Sequence, residues 1–237
     1  MNIVKHIPNS LTCLNLICGM AGIYWVLEGQ VFFGAYFIFA AAICDFLDGF
    51  AARLLNAHSA IGAQLDSLAD MVTFGALPAF IVFKMLQTIN PDSYLSFLAF
   101  FIAIQSAIRL AKFNIDTRQT DRFIGVPTPA NALLISTLPF LAEKFAWAQN
   151  LVYNPFFLLV FSLGFALMLT AEIPLIALKF KRFDLKDNIY RYLTLLIGLT
   201  CLLTMGIAGI PFAIISYVGL SIIEARGNKD AKNQQSV

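Results

Sequence analysis

Long apolar stretches alternate with short polar breaks along almost the whole chain. Each is close to the ~20 residues that carry an α-helix across a hydrocarbon core of about 30 Å. They fall near residues 10–28, 31–54, 63–86, 93–115, 129–147, 155–178, 189–206 and 208–224. The breaks have turn chemistry: Glu28-Gly29-Gln30, Asn90-Pro91-Asp92, Gln149-Asn150 and the interval from Gly206 to Gly209. Longer charged connections run from Phe113 to Arg122 and from Lys179 to Arg191. Gly206 and Gly209 suit a tight hairpin, since one helix through both final runs would far exceed a bilayer. The pattern predicts an all-α polytopic membrane bundle of about eight transmembrane helices, one domain over residues 1–225, with a polar, disordered tail over 226–237.

Composition agrees with that pattern. Hydrophobic residues make up 59 % and charged residues 13 %, and the mean hydropathy is +0.77, far from the balance of a soluble domain. If the N-terminus starts inside, Lys5, Arg53, Arg109, Lys112, Arg118, Arg122, Lys179, Lys181, Arg182, Lys186, Arg191, Arg226, Lys229 and Lys232 fall at or near one face. Only Lys84 and Lys144 fall opposite, so the positive-inside rule puts both termini in the cytoplasm. The first span, with no basic region and cleavage site before it, is expected to be retained. A net charge of +2, spread as a membrane-flanking belt, argues against a nucleic-acid partner. Cys13, Cys18, Cys44 and Cys201 sit in apolar runs without metal-ligand spacing and read as small buried hydrophobes. His6 and His58 are isolated and read as interfacial or loop residues.

Four carboxylates change the picture. Asp45, Asp48, Asp66 and Asp70 lie within or beside apolar spans, where a charged side chain costs roughly 2.5–3.5 kcal/mol near the bilayer centre. At about 100° per residue, Asp45, Asp48, Gly49, Ala52 and Arg53 share an arc of about 140° on one helix. Asp66 and Asp70, one turn apart with Gly62 a turn earlier, share a face of the next, and the link from Leu55 to Ile61 is short enough for a hairpin. Arg53 alone cannot balance four carboxylates. An oxygen-rich cluster suits hard cations, and two Mg²⁺ or Mn²⁺ ions about 3.5–4 Å apart could neutralise a pyrophosphate and orient an attacking hydroxyl. A carboxylate at the lip could serve as general base. Gly49, Ala52 and Gly62 would clear room for a flat base or a phosphate, or else allow close helix packing. A purely structural polar network, or a cation path through a transporter, would use the same aspartates. The third span beyond Phe74 is, however, almost wholly apolar down to Lys84.

At the cytoplasmic end of the fourth span, Arg109, Lys112 and Asn114 form a cationic and amide-bearing lip, and Phe123 to Pro129, including Gly125 and Pro127, opens the fifth. Such a lip could hold an acceptor carboxylate. Lys112, Arg118 and Arg122 could equally be a positive-inside anchor facing lipid head groups.

The series Asp45-x-x-Asp48-Gly49-x-x-Ala52-Arg53-x8-Gly62-x3-Asp66-x3-Asp70 resembles the complete signature of the CDP-alcohol phosphatidyltransferases. The resemblance implies an integral membrane enzyme with two divalent ions on the four aspartates, moving a phosphatidyl group from a CDP-linked lipid to an alcohol with release of CMP. It further implies Asp70 as the base as well as a ligand. Gly49, Arg53 and Ser59 would then contact the nucleotide diphosphate, with Asn9 and Thr12 closing the nucleotide site. Over roughly the first 135 residues the chain is most similar to the serine-accepting branch of that family. This likeness rests on Ile7 to Asn15, Leu65 to Gly75, Arg109 to Asn114 and Phe123 to Pro129, with Ser67 where glycerol-phosphate-accepting relatives more often have proline. Thr73 and Lys112 depart conservatively, standing where serine and arginine are common. CDP-diacylglycerol, entering from the cytoplasmic leaflet, and L-serine are the substrates so implied, with a homodimer in a prokaryotic inner membrane as the setting. Inositol phosphate or glycerol phosphate would be alternative acceptors.

Overall fold

The computed structural model describes residues 6–57, 59–116, 123–176, 184 and 188–235. Lys5, His58, Arg118, Arg122, Lys179, Lys181, Arg182 and Lys186 lie outside the described residues.

Helix α1, Ile7–Leu27, starts with Pro8 in its first turn, where no N–H is needed, and stops at Gly29, whose φ of 89° reverses the chain. Helix α2, Val31–Leu54, packs back along α1. Their far-side turn is wrapped in aromatics: Trp25 stacks on Phe33 at 5.3 Å, and Tyr36 meets Phe140 edge-on at 5.6 Å. Such a girdle suits a membrane interface.

The next helix is continuous from Ala60 to Ile89 but changes gauge. It comprises α3, Ala60–Asp70, a π-helical turn over Met71–Ala76, and α4, Leu77–Ile89. Pro78 has no N–H to offer the carbonyl of Phe74, and the Leu77 N–H reaches back to Val72. This is the central element, with α4 touching α1, α2, α5, α6 and α9. Phe74, Leu77 and Ile81 on it are fully buried beside Ile38, Ile102 and Leu134.

A 3₁₀ stretch, Tyr94–Phe100, leads into α5, Phe101–Ile115. The span expected at 129–147 is two shorter helices, α6 (Thr128–Ser136) and α7 (Leu138–Lys144), divided at Thr137 because Pro139 cannot donate into the preceding turn. Helix α8, Ala146–Val152, is bent by 78° from α9, Pro155–Thr170. The span expected to reach residue 178 ends at Thr170, where Glu172 and Pro174 oppose further helix. Strand β1, Phe123–Ile124, pairs antiparallel with β2, Pro174–Leu175. Helix α10, Ile189–Met205, turns through Gly206, at φ 63°, and a 3₁₀ stretch to α11, Ile210–Gln235, which packs back against it. At Gly209 an added Cβ would run into the Cys201 carbonyl. The polar tail expected to be disordered carries helical backbone to Gln235, continuing a stretch with good helix formers such as Glu224, Ala225 and Arg226.

The protein is thus an all-α integral membrane protein. Among the described residues, five helical stretches are long and apolar enough to cross a bilayer, or six with the bent α8–α9 pair. The expected eight is not reached as eight separate helices of membrane length, because proline divides the α6–α7 region into two short helices.

Candidate active site

Three of the four aspartates converge. One carboxylate oxygen each from Asp45 and Asp48 on α2 and from Asp66 on α3 lie within 4.8 Å of one another. The hairpin between the two helices makes this possible. Asn56, with φ 47°, turns the chain, and the Ser59 hydroxyl caps α3 by accepting the Gly62 N–H at 2.9 Å. Asp48 is buried, and its Oδ2 accepts a hydrogen bond from Thr12 on α1 at 2.7 Å. Oδ1 of Asp66 is buried without a partner. Such an atom is costly to leave unpaired, and in an all-oxygen cluster a hard divalent ion fits it.

Beside the triad is a cavity of about 210 Å³ lined by Asn9, Thr12, Gly49, Ala52, Arg53, Ser59 and Gly62 together with Asp48 and Asp66. Every residue expected to meet the CDP-lipid is therefore on one wall or another of a single space. The two glycines have different reasons to be there. A Cβ at Gly49 would meet only Arg53 Nη1, at 3.7 Å, so no helix packs on it and it faces open space. A Cβ at Gly62 would come to 2.9 Å from Ser59 Oγ and 3.0 Å from Asn9 Oδ1, crowding the two polar groups that flank the start of α3. Close helix packing of the small-residue kind is instead found deeper. At Gly19 an added Cβ would collide with Thr73, and at Gly75 it would lie 2.9 Å from Ser106 Cβ.

Asp70, one turn after Asp66, is not part of that 4.8 Å set. It is buried, and its Oδ1 accepts from Asn15 Nδ2 at 3.1 Å. Asn15 is itself held from below, because Thr73 in the π-helical turn donates to its backbone carbonyl at 3.0 Å. Sequence reasoning assigned Asn15 no role. It lies two turns after Pro8 on the α1 face that also carries Thr12, and that spacing was the available signal. Below this level the π-helical turn and α4 offer Phe74, Leu77 and Ile81 as closed core, which is no continuation of a cation path.

The other lip residues divide. Arg109 and Lys112 line a second cavity of about 380 Å³ with Asp116, Ile124, Leu169, Thr170, Ala171 and Glu172. Arg109 is 9 % exposed; its Nη1 donates to Thr128 Oγ1 at 3.0 Å, and its Nε has no partner. Asn114 does not line this cavity but exchanges hydrogen bonds with Ser67, at 3.0 and 3.2 Å, tying α5 to α3. Gly125 and Pro127 are scaffold around it. At φ 74°, Gly125 lies so close under the Leu169 and Ala171 carbonyls that a Cβ would strike the former, while Pro127 precedes α6. The α9 end, Thr170 to Glu172, was missed, because nothing local marks it as part of a site.

The family model described as CDP-alcohol phosphatidyltransferase matches residues 5–178. The CDP-diacylglycerol–serine O-phosphatidyltransferase of Bacillus subtilis is 34 % identical over 171 residues, covering 72 % of this chain and 89 % of the relative. The protein of the same name from Helicobacter pylori is 32 % identical over 195 residues, covering 81 % and 79 %. That from Mycobacterium leprae is 33 % identical over 179 residues, and the match spans 73 % of this chain but only 58 % of the relative's length.

Proposed function

The chain belongs to the CDP-alcohol phosphatidyltransferase family, and from that premise we propose that it transfers the phosphatidyl group of CDP-diacylglycerol to the hydroxyl of L-serine, giving phosphatidylserine and CMP. The observation that carries this is the cavity in which Asn9, Thr12, Gly49, Ala52, Arg53, Ser59 and Gly62 meet two of the clustered aspartates.

Asp45, Asp48, Asp66 and Asp70 would hold two Mg²⁺ or Mn²⁺ ions, and the orphaned oxygen of Asp66 supports that donor set. When bound, the ions neutralise the diphosphate and stabilise charge on the departing phosphate. The chain's own residues do the rest. Gly49 and Ala52 keep α2 low enough for the nucleotide to approach its backbone. Arg53 offers its guanidinium to phosphate oxygens. Thr12 keeps Asp48 in place through its 2.7 Å hydrogen bond.

Asp70 accepts the serine hydroxyl proton. As it does so, the hydroxyl oxygen bonds to the phosphorus of the phosphatidyl group, and the bond from that phosphorus to the bridging oxygen breaks, so that CMP leaves with the electron pair. The Asn15 amide, 3.1 Å from Asp70, fixes the carboxylate's orientation from the α1 side. Arg109 and Lys112 would receive the serine carboxylate. The enzyme would work as a homodimer in a prokaryotic cytoplasmic membrane, drawing lipid from the cytoplasmic leaflet, a setting supported by its basic residues and bacterial relatives.

The test is CMP release by the purified protein supplied with CDP-diacylglycerol and, in separate reactions, L-serine, glycerol 3-phosphate or inositol 1-phosphate. Serine-dependent release that requires Mg²⁺ or Mn²⁺ is expected. Release with another alcohol and none with serine would overturn the acceptor, and full activity in excess EDTA would overturn the metal mechanism.

A further inference from the structure

The second cavity is lined by charges of both signs. Arg109 supplies a guanidinium that is nine-tenths buried, anchored through Nη1 to Thr128 and left with an unpartnered Nε. Lys112, one turn on, adds a second cation to the same lining. From the other side of the chain comes Glu172, just beyond the end of α9. Its backbone is clamped on both flanks: Ile173 O accepts the Gly125 N–H at 2.9 Å, Val126 N–H donates to Met168 O at 2.9 Å, and Pro174 pairs with Ile124. Asp116, the other acid of the lining, is already engaged in an interaction of its own.

A cavity for a simple carboxylate or phosphate needs cations alone, and an acid beside them weakens it. An acid opposite two cations is what an α-amino acid requires, because its carboxylate and ammonium sit on one carbon and must both leave water together. The cationic side also faces the chemistry, since the Arg109 guanidinium lies within electrostatic reach of Asp70. An acceptor whose carboxylate rests on Arg109 would thus be held within that reach.

We propose that Glu172 selects the acceptor: its carboxylate accepts hydrogen bonds from the ammonium group of an amino-acid alcohol whose carboxylate rests on Arg109 and Lys112, and it repels acceptors that carry a phosphate instead. This rests on the serine reading above and adds to it a residue that discriminates. The analogue that isolates the interaction is 3-hydroxypropionate, which is serine without its amino group.

The experiment measures CMP release from CDP-diacylglycerol by the wild-type protein, Glu172→Gln and Glu172→Asp, each against L-serine, 3-hydroxypropionate and glycerol 3-phosphate. The wild type should prefer serine to 3-hydroxypropionate by about 10²-fold in kcat/KM, because a site built for a polar group rejects the analogue lacking it. Glu172→Gln should raise the KM for serine about 10- to 100-fold. Its kcat at saturating serine and its KM for CDP-diacylglycerol should stay within a few-fold, and its preference over 3-hydroxypropionate should collapse. Glu172→Asp should fall between, and glycerol 3-phosphate should become a better acceptor for Glu172→Gln than for the wild type. A serine KM within twofold of wild type in Glu172→Gln, or a wild-type protein that uses 3-hydroxypropionate as well as serine, overturns the proposal. A wild-type protein inert toward serine but active with another acceptor overturns the serine reading itself, which is a different result.

Discussion

The two cavities are built on opposite plans. The one beside the aspartate triad takes its walls from residues between Pro8 and Asp66, on consecutive helices joined by short turns. The other joins the end of α5 to the end of α9, bringing Arg109 and Lys112 to Thr170 and Glu172 across more than fifty intervening residues. On the proposed reading, the first holds what any acceptor would need, and the second what would tell one acceptor from another. Chemistry common to a family can be packed into a compact run of chain, whereas discrimination can be assembled from distant pieces that change independently.

That division predicts a hierarchy of damage. The largest effect is expected at the shared half: Asp66→Asn should abolish CMP release with every acceptor tested, while the detergent-solubilised protein keeps its elution volume and thermal transition. Residual turnover that differs between acceptors would break the comparison, because it would make the triad part of acceptor choice. Asp70→Asn comes next. Loss of general-base assistance should lower turnover by about 10²- to 10⁴-fold, with CDP-diacylglycerol still bound in the presence of metal. Turnover within a few-fold of the parent would move the base elsewhere. The smallest effect belongs to the second cavity's frame. Gly125→Ala places a Cβ against the Leu169 carbonyl at φ 74°, a strain of about 1–3 kcal/mol, and should lower thermal stability and raise the serine KM without altering the KM for CDP-diacylglycerol. Equal changes in both KM values would show that the two cavities are not separable.

What could be read from the sequence follows the same line. Asp45, Asp48, Asp66 and the residues around Gly49 and Gly62 were legible because helical periodicity and one hairpin bring them together. Arg109 and Lys112 were legible as a charged lip, but Asn114, on the same turn, bonds Ser67 instead of lining the cavity, a choice of rotamer and neighbour that no local pattern encodes. Glu172 was hidden inside a stretch that reads as the end of a membrane span; Pro174 opposes helix there, and the pairing of β1 with β2 shows where the chain goes instead. Asn15 looked like one polar residue in an apolar helix until the π-helical turn carried Thr73 beneath it. Long-range contacts and departures from regular helix geometry are what hydrophobic patterning does not report.

The β1–β2 clasp also has a meaning in time. During synthesis Arg109 leaves the ribosome well before Glu172, and at about 5–20 residues per second the interval is roughly 3–13 s. Throughout that interval the nascent chain already contains every aspartate of the cluster, while the strand that closes the acceptor side, Pro174–Leu175, has not been made. The clasp is therefore made only after the whole aspartate cluster has been synthesised, and it fixes the backbone beside Glu172 at the rim of the second cavity.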